Sequence, residues 1–221
     1  MKNLLKSLLV IAISVIPTVA MAQPESCTVK HSGSKATIKD FAKAYCSQCE
    51  QGSFEREALA ALNKGASKKC VVDTKNGYVK YSTKIADGSV ETLEMCVWNC
   101  DNKNEKLVAV NHLSEGGGLD ESFLEFYRYD VKTKLMTHIE HPFVDEPQPI
   151  DMVDLSVAGD DVVNQVRSAR NEDMNKYLPI YSLPRYGKNI TFRMADRNAI
   201  HSALQRTGTL IWNGSTFSVD R

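Results

Sequence analysis

The residues whose types and spacing could do chemistry are two cysteines three positions apart and a histidine followed by an acid. Cys46 and Cys49 form a Cys-x-x-Cys pair, which can act as a redox dithiol when a helix N-terminus lowers the pKa of one thiol. Here the pair lies near the end of a predicted helix with no strand before it, which favours structural disulfides. His112 lies on a predicted strand just before a run of glycines, and it is the best acid–base candidate, with Glu115 as its partner.

The first 22 residues predict a cleaved signal peptide. Two lysines precede the apolar run Leu8–Ile16, and Ala20-Met21-Ala22 has the small-x-small pattern that a signal peptidase reads. The apolar run is shorter than the roughly 20 residues that a permanent transmembrane helix needs. We therefore expect a periplasmic or secreted protein without stable membrane insertion after signal cleavage.

The predicted export of the chain changes the interpretation of its cysteines. An even number of cysteines in an oxidising compartment favours disulfides over metal thiolates. The prediction covers all six cysteines: Cys27, Cys46, Cys49, Cys70, Cys96 and Cys100. On the predicted helix Cys46 and Cys49 both face the sheet, so each is expected to reach a cysteine on the first strands.

Two helices are predicted over about residues 37–64. Thr37 to Asp40 resembles a capping box, and the apolar stripe behind it continues to about Gln51. Ser53 predicts the N-cap of the second helix, which Gly65 ends.

The period changes to two after Cys70, which is typical of strands. Antiparallel strands are predicted within about residues 70–140: Val90–Trp98, Lys106–Leu113, Ser122–Tyr129 and Lys134–Ile139. The middle strands are apolar on both faces, so both faces must be covered. The C-terminal half, about 150–221, is expected either to cover the second face or to extend the sheet around and so complete it. The predicted fold is a single α+β domain over 23–221, with an N-terminal helical pair packed on an antiparallel β-meander and a sandwich-like arrangement as one form of it.

Two strand-and-turn segments carry a resemblance to other proteins. They are Phe126-Tyr127-Arg128-Tyr129-Asp130-Val131-Lys132-Thr133-Lys134-Leu135 and Leu210-Ile211-Trp212-Asn213-Gly214-Ser215-Thr216-Phe217. The chain resembles uncharacterised exported β-meander proteins of Bacteroidetes in these segments, which are a small part of its length. The resemblance implies a fold style and a compartment, and no catalytic residue carries over from it.

The composition limits the possible partners. The chain has 221 residues, 43% of them hydrophobic, with 27 basic and 27 acidic side chains. No excess of positive charge exists to neutralise phosphates, which excludes a typical nucleic-acid binder. Aromatic rings can stack on sugars and anchor interfaces, and a binding face is predicted from four of them: Trp98, Tyr127, Tyr129 and Trp212.

The leading functional hypothesis is an exported, non-catalytic binding or interaction module with an unknown protein or glycan ligand, because no nucleophile, base and orienting group occur in a recognisable arrangement. One alternative is a cell-wall or glycan hydrolase that uses His112, Glu115 and a distant acid. Another is a thiol redox or metal protein that uses Cys46 and Cys49. No cofactor and no other metal site is predicted.

Overall fold

The structure is a computed structural model that describes residues 24–116, 118–169 and 172–221. The predicted signal peptide lies outside these residues. Within them, no helix has the length and hydrophobicity that crossing a membrane requires.

The described residues form an α+β fold built on a large antiparallel sheet. Its seven strands are β1 (Ser26–Thr28), β2 (Cys70–Asp73), β3 (Tyr78–Lys84), β4 (Val90–Asn99), β5 (Glu105–Glu115), β6 (Glu121–Asp130) and β7 (Leu135–Ile139). Their order across the sheet is β1-β7-β6-β5-β4-β3-β2. Strands β2 to β7 are therefore the predicted meander, and β1 pairs with β7 at the far edge.

The C-terminal half forms a second antiparallel sheet and two more helices. The elements are α3 (Asp160–Ser168), α4 (Glu172–Asn175), β8 (Pro179–Ser182), β9 (Ile190–Met194), β10 (Gly208–Trp212) and β11 (Phe217–Val219). The strands of this sheet have the order β11-β10-β9-β8. The prediction of a sandwich-like α+β fold is confirmed.

The two predicted N-terminal helices are present as α1 (Ile38–Gln48) and α2 (Phe54–Lys64). At the start of α1, Thr37 donates from its backbone N–H and its hydroxyl to Asp40 Oδ2, at 2.8 and 2.7 Å. At the start of α2, the Ser53 side chain accepts from the backbone N–H of Arg56. Helix α1 ends at Gln48, earlier than predicted, so Cys49 follows the helix instead of continuing its apolar stripe.

Each face of the large sheet packs against a different layer. Helices α1 and α2 cover one face, and the core between them contains Met95, Val108 and Tyr127. The small sheet covers the other face, over Trp98 and Phe126. Successive side chains of a strand point to opposite faces, so the strands that are apolar on both faces are buried on both, as predicted. We call these two layers the helix-side core and the β-side core.

Candidate functional site

The predicted pairing of His112 with Glu115 does not occur. The two residues are three positions apart on β5, so their side chains point to opposite faces of the sheet. Glu115 instead accepts from the guanidinium groups of Arg193 and Arg197, at 2.7 and 2.9 Å. Arg193 also pairs with Asp120 at 2.8 Å, so Glu115 belongs to an ion-pair cluster that joins the two sheets.

His112 belongs to a network of polar side chains in the helix-side core. The Tyr45 hydroxyl, on α1, lies 3.0 Å from His112 Nε2 and 3.0 Å from Glu125 Oε2. Glu55 Oε1, on α2, lies 3.4 Å from His112 Nδ1. The Tyr127 hydroxyl donates to Glu125 Oε1 at 3.2 Å. We call these five residues the buried network, and it links both helices to β5 and β6.

The protons of the buried network are coupled. The Tyr45 hydroxyl has one proton and two neighbours, so either His112 or Glu125 must donate to its oxygen. Burial raises the pKa of Glu125 to about 7, against the hydrogen bonds from the two tyrosines, which lower it. Burial also lowers the pKa of His112, although the carboxylate of Glu55 opposes this. Both pKa shifts favour the uncharged form of the side chain, because burial destabilises an ionised Glu125 and a protonated His112 alike.

The polar atoms of the buried network are hydrogen-bonded to one another. Glu55 and Glu125 are only 3% and 2% exposed. Among the described residues, no buried side-chain nitrogen or oxygen lacks a hydrogen-bond partner. The network therefore holds the helices in register on the sheet, and its polar atoms are already occupied by one another.

The predicted aromatic face is wrong, because the structure divides its members between two cores. Trp98 and Trp212 lie in the β-side core with their ring centroids 6.3 Å apart. Tyr127 and Tyr129 lie in the helix-side core and are at most 1% exposed. Each of the four rings fills space between layers, so none of them offers a flat surface to a ligand.

The structure has all six cysteines as free thiols and contains none of the predicted disulfides. Cys96 and Cys100 belong to the β-side core, whereas Cys27, Cys46 and Cys70 belong to the helix-side core. A cross-link from α1 to Cys96 or Cys100 would have to pass through the sheet. The prediction that Cys46 and Cys49 reach Cys96 or Cys100 fails for this reason, whereas Cys70 lies in the same core as Cys46 and has a free thiol.

We expect native protein to react slowly with iodoacetamide and denatured protein to react at all six cysteines without added reductant. Burial raises the pKa of Cys27 to about 11, and that of Cys49 and of Cys96 to about 12, so few thiolates exist at neutral pH. Mass spectrometry of alkylated samples measures both reactions, with a reduced, denatured sample as the control. Two or fewer labelled cysteines after denaturation would instead restore the disulfide prediction.

An exposed aromatic side chain and an open strand edge lie next to the buried network. Phe123 on β6 is 52% exposed, although its neighbour His112 on β5 is mostly buried. Strand β7 pairs with β6 only from Phe126 to Asp130, so residues Glu121–Glu125 have a strand on one side only. We call this edge, with the Phe123 side chain, the β6 groove. The sequence did not predict the β6 groove, because in the sequence Phe123 is indistinguishable from the buried apolar residues of the same strand.

Two pockets flank the β6 groove, and both include Phe123. One has a volume of about 490 Å³ and includes His112, with the exposed apolar side chains of Leu119 and Leu178 in its wall. The other has a volume of about 580 Å³ and includes His138. Six carboxylates line one pocket or the other: Glu91, Asp120, Glu121, Glu125, Glu140 and Glu146. Asp120 is paired with Arg193, and Glu125 belongs to the buried network. The groove therefore combines an apolar anchor, unpaired backbone and an acidic surround.

Compared with protein-family models, with curated proteins and with solved structures, the chain matches none.

Proposed function

We propose that the protein is an exported, non-catalytic binding module whose β6 groove binds an extended segment of another protein. The observation that carries the proposal is Phe123, a large apolar side chain exposed beside an unpaired strand edge. Extended peptides bind such edges through backbone hydrogen bonds, and side-chain pockets beside the edge supply selectivity. The predicted signal peptide and the resemblance to exported β-meander proteins support the compartment, periplasmic or extracellular.

The hydrogen bonding of the edge supports an added strand. His141 Nε2 lies 3.0 Å from the carbonyl oxygen of Leu124, so the backbone of Leu124 points away from β5. Backbone direction alternates along a strand, so Ser122 points the same way. Among the described residues no backbone group pairs with the N–H or carbonyl of Ser122 on that side. An incoming strand would satisfy these groups and cover Phe123.

The charge around the groove selects the ligand. The flanking carboxylates favour a segment that alternates apolar and basic residues, because its apolar side chains would pack on Phe123 while its ammonium groups meet the acids. The four aromatic rings that were predicted to stack on a sugar are buried, so they give no support to a glycan ligand.

Acid–base catalysis is the second candidate, because His112 lines a groove pocket and the pKa of Glu125 is raised to about 7. It fits less well, since the polar atoms of both residues already bind each other through Tyr45. The two proposals differ in what happens to the ligand, because a binding module releases it unchanged.

The test is the binding of a fluorescein-labelled heptapeptide that alternates valine and lysine, measured by fluorescence anisotropy. We expect saturable binding that Phe123→Ala weakens about fivefold or more, because the anchor contact is lost. Tyr186→Ala is the matched control, since Tyr186 is an aromatic residue that is 70% exposed and lines neither groove pocket, and this change should leave binding unaltered.

Two peptide controls test the mode of binding. An alternating valine–glutamate peptide should not bind, and a valine–lysine peptide with N-methylated backbone should bind much more weakly, because it cannot form a strand ladder. Equal binding of the N-methylated peptide, or equal loss in Tyr186→Ala, would exclude the β6 groove. Cleavage or other mass change of the peptide, lost in His112→Gln, would support catalysis instead.

A further inference from the structure

A third pocket lies at the opposite end of the large sheet from the β6 groove. Its volume is about 560 Å³, and it lies between the loop before α1, the β4–β5 turn and the β6–β7 turn. Strand β6 starts at the groove and ends at this pocket. The pocket is lined by five basic side chains: His31, Lys35, Lys103, Lys106 and Lys134. We call it the basic pocket.

The protein does not neutralise the charge of the basic pocket. Among its described lining residues only Glu105 has a carboxylate. That carboxylate is already bound by Arg128 Nη1 at 2.8 Å and by the side-chain amide of Asn102 at 2.8 Å. No described carboxylate oxygen lies within 4.0 Å of the ammonium group of any of the four lysines. The chain as a whole has no excess of basic residues, so the pocket is a local concentration of positive charge.

Lys106 shows the effect of this concentration. Its ammonium group donates to Asn99 Oδ1 at 2.6 Å, which orients it at the pocket wall. Burial lowers the pKa of Lys106, and the positive charge of Lys35 lowers it further. An anion between these two lysines would replace a repulsion by two attractions.

Tyr129 supplies a second, independent indication of a ligand. It lines the pocket and is 1% exposed, and its ring packs edge-on against Phe41 at 4.8 Å. Its hydroxyl makes no hydrogen bond with the described residues, and because no fully buried side-chain oxygen in those residues lacks a partner, this oxygen reaches the pocket surface. This hydroxyl is therefore a donor held at the pocket by a rigid ring.

We propose that the basic pocket binds the phosphate group of a small phosphomonoester, with Lys35, Lys106, Lys134 and the Tyr129 hydroxyl as its polar contacts. Lysine ammonium groups act as point charges toward phosphate, whereas planar carboxylates are better matched by the fork of arginine. Several unneutralised lysines suit a doubly charged group better than a singly charged one. The volume exceeds that of a phosphate ion and falls in the range of small-molecule sites, about 300–1,000 Å³.

The test is calorimetric titration of the intact protein with glucose 6-phosphate at low ionic strength, with glucose and inorganic phosphate as parallel probes. We expect saturable binding of glucose 6-phosphate, weaker binding of inorganic phosphate and none of glucose. The double variant K106Q/K134Q should lose affinity about tenfold or more, because hydrogen bonds to charged groups are removed. The double variant K75Q/K84Q is the matched control, since it removes the same charge from exposed positions outside the pocket.

Tyr129→Phe distinguishes binding in the basic pocket from non-specific attraction of an anion to the lysines. The variant keeps the ring and the charge of the pocket and removes only the proposed hydroxyl donor. We expect it to weaken glucose 6-phosphate binding with little change in melting temperature. Equal loss in K75Q/K84Q, equal affinity for inorganic phosphate and glucose 6-phosphate, or no saturable binding would each overturn the proposal. The valine–lysine peptide should bind K106Q/K134Q as it binds the original protein, so failure here is distinguishable from failure of the β6 groove.

Discussion

Phe126→Ala should lower the free energy of unfolding by about 3–5 kcal/mol, the usual cost of removing a fully buried phenylalanine. The Phe126 ring is 0% exposed, and it contacts three aromatic rings from elsewhere in the chain. Its centroid lies 5.8 Å from that of His141, 5.5 Å from that of Phe143 and 5.9 Å from that of Phe217. The substitution thus opens a cavity where the large sheet, the segment after β7 and the small sheet meet. Urea unfolding followed by tryptophan fluorescence measures the change.

Phe123→Ala is the matched control on the same strand. Phe123 points to the opposite face from Phe126 and is about half exposed, so its removal should change the free energy of unfolding by less than about 1 kcal/mol. Similar losses for the two variants would contradict the layer assignment of β6. The same control shows that Phe123→Ala remains folded when its peptide binding is measured.

Glu125→Gln should stabilise the protein at pH 8 by up to about 3 kcal/mol and have little effect at pH 4.5. The pKa of Glu125 rises from 4.5 to about 7 on folding. Between these two values the folded protein keeps a proton that the unfolded chain has lost, so the contribution of Glu125 to stability is present below pH 4.5 and is lost as the pH rises through 7. Glutamine is neutral throughout, and its amide can accept from one tyrosine hydroxyl and donate to the other.

The measurement is urea unfolding of both proteins at several pH values between 4.5 and 8. His112 is present in both proteins, and its lowered pKa acts in the opposite direction with pH, so only the difference between the curves reports on Glu125. Glu121→Gln is the control, since Glu121 is an exposed residue of the same strand. Parallel curves for Glu125→Gln and the original protein would show that the carboxylate is not held in an unfavourable environment.

The secondary structure followed from local signals, because capping residues and hydrophobic period act within a few positions. Thr37 and Ser53 begin the two helices where the sequence predicts, and the period of two after Cys70 marks the strands. The requirement that both faces of the middle strands be covered also predicts the layers. The same requirement explains why Trp98 and Tyr127 are buried, because aromatic rings on strands that are covered on both faces pack against the covering layers.

The candidate site depended on tertiary docking, which local signals do not specify. His112 was predicted as a candidate from its position on a strand. Its partners Tyr45 and Glu55 lie on two helices, and the spacing of residues in the sequence does not predict where those helices pack on the sheet. The β6 groove exists because β7 ends at Ile139, shortly before Pro142. Ile139 pairs with Phe126, so the part of β6 before Phe126 has no partner from β7. A proline after a short strand is a signal for an unpaired neighbour, because its nitrogen cannot donate to a ladder.

The pairing of β1 with β7 has a consequence for how the molecule assembles. Ser26 aligns with Thr137, so the first strand of the described chain pairs with the last strand of the meander. Contacts between distant positions form slowly, because the whole intervening chain must be organised first. Until then the outer edge of β7 is a bare template to which a second unfinished copy can pair. Once β1 pairs with β7, the edge of the sheet is a strand of only three residues, which offers a second copy a much shorter template.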